Sequence, residues 1–182
     1  MSRLLLGFDL GTTSLIGRLW TEDGQVVADA SLANPQQEYG ADVIARMEAA
    51  LGGQAAELQR LLVDGINLLV ADLLVQVDAG AEQISAAAAA ANPAISLLLA
   101  GQSVERVLRP PYRPDYLAGK LLESQPLGVN LQVPLYLLPL VSGYVGGDLL
   151  AVLLGSQPDT RPTLYVDLGT NAELALWDGE GW

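Results

Sequence analysis

Cysteine and histidine are both absent from this 182-residue chain. Without cysteine the chain has no disulfide, no thiol nucleophile and no thiolates to hold an iron–sulfur cluster. Without histidine as well, zinc sites of the Cys/His kind and Ser–His nucleophilic catalysis are excluded. A metal held by this chain must be a hard, oxygen-preferring ion such as magnesium. Positive charge is scarce: nine Lys and Arg face 21 Asp and Glu, a net charge of −12. Such a chain lacks the basic face that nucleic-acid phosphates require, and it has little attraction for anionic lipid. The longest weakly charged stretch, residues 131–154, is interrupted by Pro134, Pro139, Gly146-Gly147 and Asp148, so it reads as strand, loop and helix rather than a membrane span. The apolar run at residues 4–8 is too short for a secretory leader. The expectation is a cytoplasmic protein that binds neither nucleic acid nor membrane. Its length and 51% apolar content suit one domain, or one and a fraction, with a real core.

Periodicity and turn residues divide the chain. Residues 4–9, 14–20 and 25–31 read as three strands joined by Gly11-Thr12-Thr13 and Glu22-Asp23-Gly24, an antiparallel meander. A loop with Asn34-Pro35 and Gly40 follows. Residues 42–51 have helical spacing, with Val43, Ile44, Met47 and Leu51 on one face, and Gly52-Gly53 ends that helix. Residues 55–77 form a longer helix whose stripe of leucines between 58 and 73 belongs to the core. Six consecutive alanines in 83–91 favour helix by propensity, but the run is short and ends at Asn92-Pro93, so it reads as a buried strand. Pro93 then opens a helix to about Gly101. Residues 105–120 read as irregular, 133–138 as strand, 145–154 as helix, and 164–167 and 173–177 as strands. A meander followed by alternating strands and helices defines an α/β domain with a mixed sheet.

One repeat stands out. Asp9-Leu10-Gly11-Thr12 recurs as Asp167-Leu168-Gly169-Thr170, each copy following an apolar strand and leading to a strand that ends in Leu-Trp. A Gly-Thr turn offers backbone N–H groups and a hydroxyl to phosphate oxygens. An acid at the end of the preceding strand can hold Mg²⁺ directly or through water. Two such turns facing each other would grip a polyphosphate from both sides. No Gly-x-x-x-x-Gly-Lys-Ser/Thr or Gly-x-Gly-x-x-Gly is present, so P-loop and Rossmann sites are excluded.

The two hairpins resemble the phosphate motifs of the actin, heat-shock-chaperone and sugar-kinase superfamily. Within it, the chain resembles the ATP-dependent reductive activators of corrinoid proteins. The resemblance is carried by residues 8–14, Asn34-Pro35-Gln36, Gly40–Arg46, Asn92-Pro93, Arg109–Pro114, Gly143–Asp148 and Asp167–Glu173, in the same order over nearly the whole chain. It implies an actin/sugar-kinase-like (ribonuclease H-like) lobe at 1–161, with residues 162–182 as the first hairpin of a second lobe that stops there. It implies ATP and Mg²⁺ as cofactors. The partner would be a corrinoid protein or methyltransferase whose Co(II) form is reduced to Co(I), with an iron–sulfur cluster confined to a separate domain. Carried over by position, Asp9 and Asp167 are Mg²⁺-linked acids, with Asp148 a further metal candidate and Glu173 a candidate for orienting water. Gly11, Thr12, Thr13, Gly169, Thr170 and Asn171 are phosphate contacts. Asp148 reads equally as a helix N-cap, and Glu173 as a surface acid.

Two other readings stay open: a small-molecule kinase of the same superfamily, and a non-catalytic lobe that binds or assembles a partner. The basic segment 106–120 reads as a solvated loop, with docking of an acidic partner as the alternative. Trp20, Trp177 and Trp182 read as packing aromatics. Unpaired strand edges at 162–177 allow a homo-oligomer.

Overall fold

The computed structural model describes residues 3–156, 160–169 and 172–182. Three strands, β1 (Leu4–Leu10), β2 (Ser14–Thr21) and β3 (Val26–Ala33), form the expected antiparallel meander. β4 (Ile84–Ala91) then lies parallel to β1, β6 (Leu135–Leu137) parallel to β4, and β5 (Lys120–Leu122) antiparallel to β6. The result is one mixed sheet in the order β3-β2-β1-β4-β6-β5. A separate two-stranded sheet pairs β7 (Thr163–Leu168) with β8 (Ala172–Trp177).

The helices are α1 (Val43–Ala49), α2 (Ala55–Gln76), α3 (Pro93–Leu99), α4 (Glu105–Leu108), α5 (Ser124–Leu127) and α6 (Gly147–Ser156). On one face of the sheet, Leu4, Leu6, Phe8 and Leu10 of β1 and Leu15 and Leu19 of β2 pack into a core with Leu58, Leu62, Ile66, Leu69 and Leu73 of α2. Strand alternation sends Gly7, Asp9, Ile16, Arg18 and Trp20 to the other face, where they border a cavity shared with Ala151 and Val152 of α6. Among the described residues, no helix is long and apolar enough to cross a membrane.

The alanine run is a strand because it is central. Ala87, Ala88 and Ala89 are hydrogen-bonded between β1 and β6, and burial of this inner position outweighs a helix preference of a few tenths of a kcal/mol per residue. Its small side chains also keep the second face of the sheet low, which leaves the cavity its depth.

Two expectations need correction. The inward face of α1 is Arg46 and Met47, each 1% exposed, while Ile44 and Leu51 stand 39% and 37% exposed. The Arg46 Nε donates to the Gly40 carbonyl at 3.0 Å, and burial lowers the guanidinium's affinity for its proton, with Asp42 partly offsetting this. An apolar-periodicity argument cannot find a buried arginine, because it scores charge as outward. Gly52-Gly53 ends the first helix as expected, because Gly53, at φ 101°, leaves the helical region and separates that helix from α2. Second, the supposedly irregular stretch and its sequel hold α4, β5 and α5, elements of three or four residues that are too short to show a period. Trp177 and Trp182 do pack as aromatics, 5.3 Å apart at their ring centres, with Tyr165 5.0 Å from Trp182. Trp20 packs its ring over Gly7 and also lines the cavity.

Candidate functional site

The β1–β2 turn, the β7–β8 hairpin and the start of α6 meet around a cavity of about 720 Å³. Asp9, Gly11, Thr12, Thr13, Asp148, Asp167, Gly169 and Glu173 all line it, so the structure brings together residues singled out by the repeat with Asp148 and Glu173, which only the resemblance named. Thr170 and Asn171 lie outside the described residues. Gly7, Ile16, Trp20, Ala88, Ala90, Leu138, Ala151 and Val152 give the remainder an apolar lining, and Arg18 sits at its edge, ion-paired to Asp29 at 2.7 Å.

The two hairpins are not identical copies. Leu10 pairs with Leu15 across a four-residue connection, whereas Leu168 pairs with Ala172 across three. The sequence repeat aligns Glu173 with Leu15, but the shorter connection shifts the register by one residue and reverses which face each following side chain takes. Asp167 therefore stands directly opposite Glu173, as Asp9 stands opposite Ile16. That shift puts Glu173 in the cavity wall.

Two Asn-Pro pairs hold the β1–β2 turn. Asn34 accepts a hydrogen bond from Gln36 N (2.9 Å) and donates to the Gly11 carbonyl (2.8 Å). Asn92 accepts from Ile95 N (3.0 Å) and donates to the Thr12 hydroxyl (3.1 Å). Each asparagine thus caps a helical turn with its oxygen and grips the β1–β2 turn with its amide nitrogen. Gln37 Nε2 adds a bond to the Thr13 carbonyl at 2.9 Å. The Gly11 N–H donates to Ser14 O at 2.9 Å, closing the turn on itself. Sequence reasoning gave neither asparagine a role. The signal was there: Asn before Pro at the first helical position is a cap, and a cap has an amide group to spare. Asn34→Asp keeps the capping oxygen but sets a carboxylate against the Gly11 carbonyl at a site 1% exposed. We expect a loss of about 2 kcal/mol in urea unfolding, with Asn34→Gln unable to restore it.

The electrostatics are those of crowded acids. Loss of hydration within the site raises the Asp9 carboxyl above the usual range, and Asp148 and Asp167 raise it further. Asp148 lies in the first turn of α6 and is raised by burial and by Asp167, against the opposing hydrogen bond it accepts from Leu149 N at 2.9 Å. It is inside the helix rather than its N-cap. Partial burial, then Asp148 and Asp167, raise Glu173. Among the described residues, no three acidic groups converge closely enough to cage a metal ion unaided. The donor set still suits Mg²⁺, which commonly takes one or two carboxylates and completes its octahedron with water and substrate phosphates. Four oxygen acids beside two polar turns fit that pattern.

A mixed α/β domain with an acid-bearing, otherwise largely apolar cavity on one face of its sheet is therefore the class of protein defined here. Residues 4–161 match the family model described as the RACo middle region, and the chain belongs to that family of corrinoid reductive activators. It is 30% identical over 179 residues to the corrinoid activation enzyme RamQ of Eubacterium limosum, covering 94% of this chain and 30% of that protein. A solved structure of a reductive activator for a corrinoid, iron–sulfur protein superposes with a TM-score of 0.87 at 27% identity, covering 96% of this chain and 29% of that one. The chain thus spans about three-tenths of the length of these relatives.

Proposed function

We propose that this chain is the ATP-binding lobe of a reductive activator that couples ATP hydrolysis to the one-electron reduction of a Co(II) corrinoid to Co(I) on a partner protein. One observation carries the reading: Asp9 and Gly11 of one hairpin, Asp167 and Gly169 of the other, and two further carboxylates, Asp148 and Glu173, border a single cavity. The sheet order, three antiparallel strands followed by parallel β4 and β6, supports an actin/sugar-kinase-like lobe. The relatives act in corrinoid activation by name, which supports a corrinoid protein as partner. Because they are three times longer, electron delivery belongs to parts of such a protein other than this cysteine-free segment.

In this reading Asp9 and Asp167 hold Mg²⁺ directly or through water, and Asp148 completes the anionic wall. Thr12 and Thr13, with Gly169 of the second hairpin, receive the β- and γ-phosphates, and the sequence repeat assigns Thr170 and Asn171 the same role. Asn34 and Asn92 keep the first turn rigid, so its donors need no reorganisation when charge shifts during hydrolysis. Glu173, its carboxyl raised by its neighbours, orients a water toward the γ-phosphate. Bound Mg²⁺ would supply neutralisation of the phosphoryl oxygens. Calorimetric titration tests the reading. ATP should bind in the presence of Mg²⁺ and lose most of its affinity on chelation with EDTA. Binding that ignores the divalent ion, or that persists unchanged in both Asp9→Ala and Asp167→Ala, removes the assigned roles.

A further inference from the structure

Residues 106–120 carry four of the nine basic side chains in a chain of net charge −12. The structure gives this segment a fixed shape. Arg113 N donates to Arg106 O at 2.7 Å, and Tyr112 N donates to Arg109 O at 2.9 Å. The Tyr144 hydroxyl donates to Val107 O at 3.2 Å. Tyr112 has φ 57°, a conformation that a bulky residue keeps only where its surroundings impose it. The loop at 141–144 imposes it: a Cβ on Gly143 would overlap the Tyr112 carbonyl oxygen and lie 3.0 Å from its carbon, so only glycine admits this approach. The outcome is two tyrosines, Tyr112 and Tyr144, each 49% exposed on adjoining segments, with Arg109 and Arg113 exposed beside Tyr112. The Arg106–Asp115 and Arg109–Glu105 pairs are solvent-exposed, at 2.8 and 3.3 Å, and pairs of that kind exchange partners at little cost.

We infer that the surface formed by residues 106–113 and 141–144 docks an acidic protein surface, which, resting on the function proposed above, is that of the corrinoid-carrying partner. Tyrosine and arginine are the side chains that concentrate binding energy in protein interfaces. A backbone already held in place lowers the ordering cost of association. A basic patch on an acidic body orients a partner of opposite local charge and repels the approach of any other face. Extended polyanions such as RNA or an anionic bilayer would also meet the acidic remainder of the chain, whereas a folded protein can present a patch of matching size. Three residues separate Tyr144 from Asp148, so the docked partner sits at the lip of the cavity.

The test is binding of purified corrinoid iron–sulfur protein to this chain, with MgATP titrated separately into each sample. Affinity for the corrinoid protein should fall steeply as salt rises from about 50 to about 300 mM, shrinking the Debye length. Arg109→Glu with Arg113→Glu should weaken it at least about tenfold. Tyr112→Asn, which tolerates the positive φ and removes the ring, should weaken it to a similar degree, about tenfold, while MgATP affinity stays at the parent value. Parent-like binding by these variants, insensitivity to salt, no binding by the parent, or stronger capture by phosphatidylserine vesicles or RNA each overturns the docking surface. Loss of MgATP binding with docking intact would instead overturn the nucleotide reading alone.

Discussion

Replacing Gly146 by valine is expected to destabilise the domain by about 4 kcal/mol, near the upper end for a single substitution, and to lower its Tm by roughly 10 °C. A Cβ at this position would overlap the Ala91 carbonyl oxygen, and would lie 2.7 Å from Asn92 Cα and 2.9 Å from Pro93 Cδ. None of these atoms can swing aside as the end of a long side chain could. They belong to the junction of β4 and α3, and Asn92 at that junction holds Thr12 through its side chain. The substitution therefore pushes α6 away from the sheet and loosens the β1–β2 turn in one displacement. Asp148, two residues on, moves with α6. Gly155 supplies the control. It lies in the same helix, and a Cβ there meets nothing within 4 Å. Gly155→Ala should stabilise by about 0.5–1 kcal/mol through helix propensity. Thermal unfolding followed by circular dichroism separates the two. A Gly146→Val protein as stable as Gly155→Ala would show that α6 is not seated on the β4–α3 junction.

The meander, the alanine strand and the two long helical stretches were legible because each combines a period with chain punctuation. The acidic repeat was legible because two copies of one turn in matching strands are unlike chance. What escaped notice did so for specific physical reasons. Arg46 is buried although charged, so periodicity places Ile44 and Leu51 beside Val43 and Met47 on the inward face, where only the latter two pack. The contribution of Gly146 depends on a contact with residue 91, fifty-five positions earlier, which no local pattern encodes. The one-residue difference between the hairpins is invisible in an alignment that matches them without a gap. Yet it decides that Glu173 rather than Leu174 shares a face with Asp167. The two asparagine clamps span 23 and 80 residues, and composition shows only their capping half.

Asp9→Asn should move stability and ligand affinity in opposite directions. The carboxyls of Asp9, Asp148 and Glu173 all lie above their ordinary values in the folded protein, from lost hydration first and mutual repulsion second. A folded state with raised carboxyl pKa values binds more protons than the unfolded chain. Stability must then fall as pH rises from the ordinary carboxylate range, about 4, through those raised values. Below that window the penalty is absent, and above it the penalty is complete. Asp178 works in the opposite sense, because the backbone N–H groups of Glu180 and Gly181 lower its carboxyl, and it remains unchanged in the variant. In metal-free buffer the parent should therefore lose Tm between pH 4 and pH 7 more steeply than Asp9→Asn, and the variant should be the more stable protein at pH 7. Glu173→Gln, which removes a like charge directly across from Asp167, should add up to about 1 kcal/mol by the same logic. Millimolar Mg²⁺ with ATP should reverse the ranking. The cation and the polyphosphate it carries relieve the repulsion only where the acids remain, so the parent's Tm should rise while that of Asp9→Asn stays put. The variant's affinity for the Mg²⁺–nucleotide pair should fall by about 100-fold, the scale for disturbing a metal's protein ligation. If Asp9→Asn is destabilised at pH 7 without metal, the carboxylates are held by contacts of the fold itself. They would then not be a repulsive cluster kept for a cation.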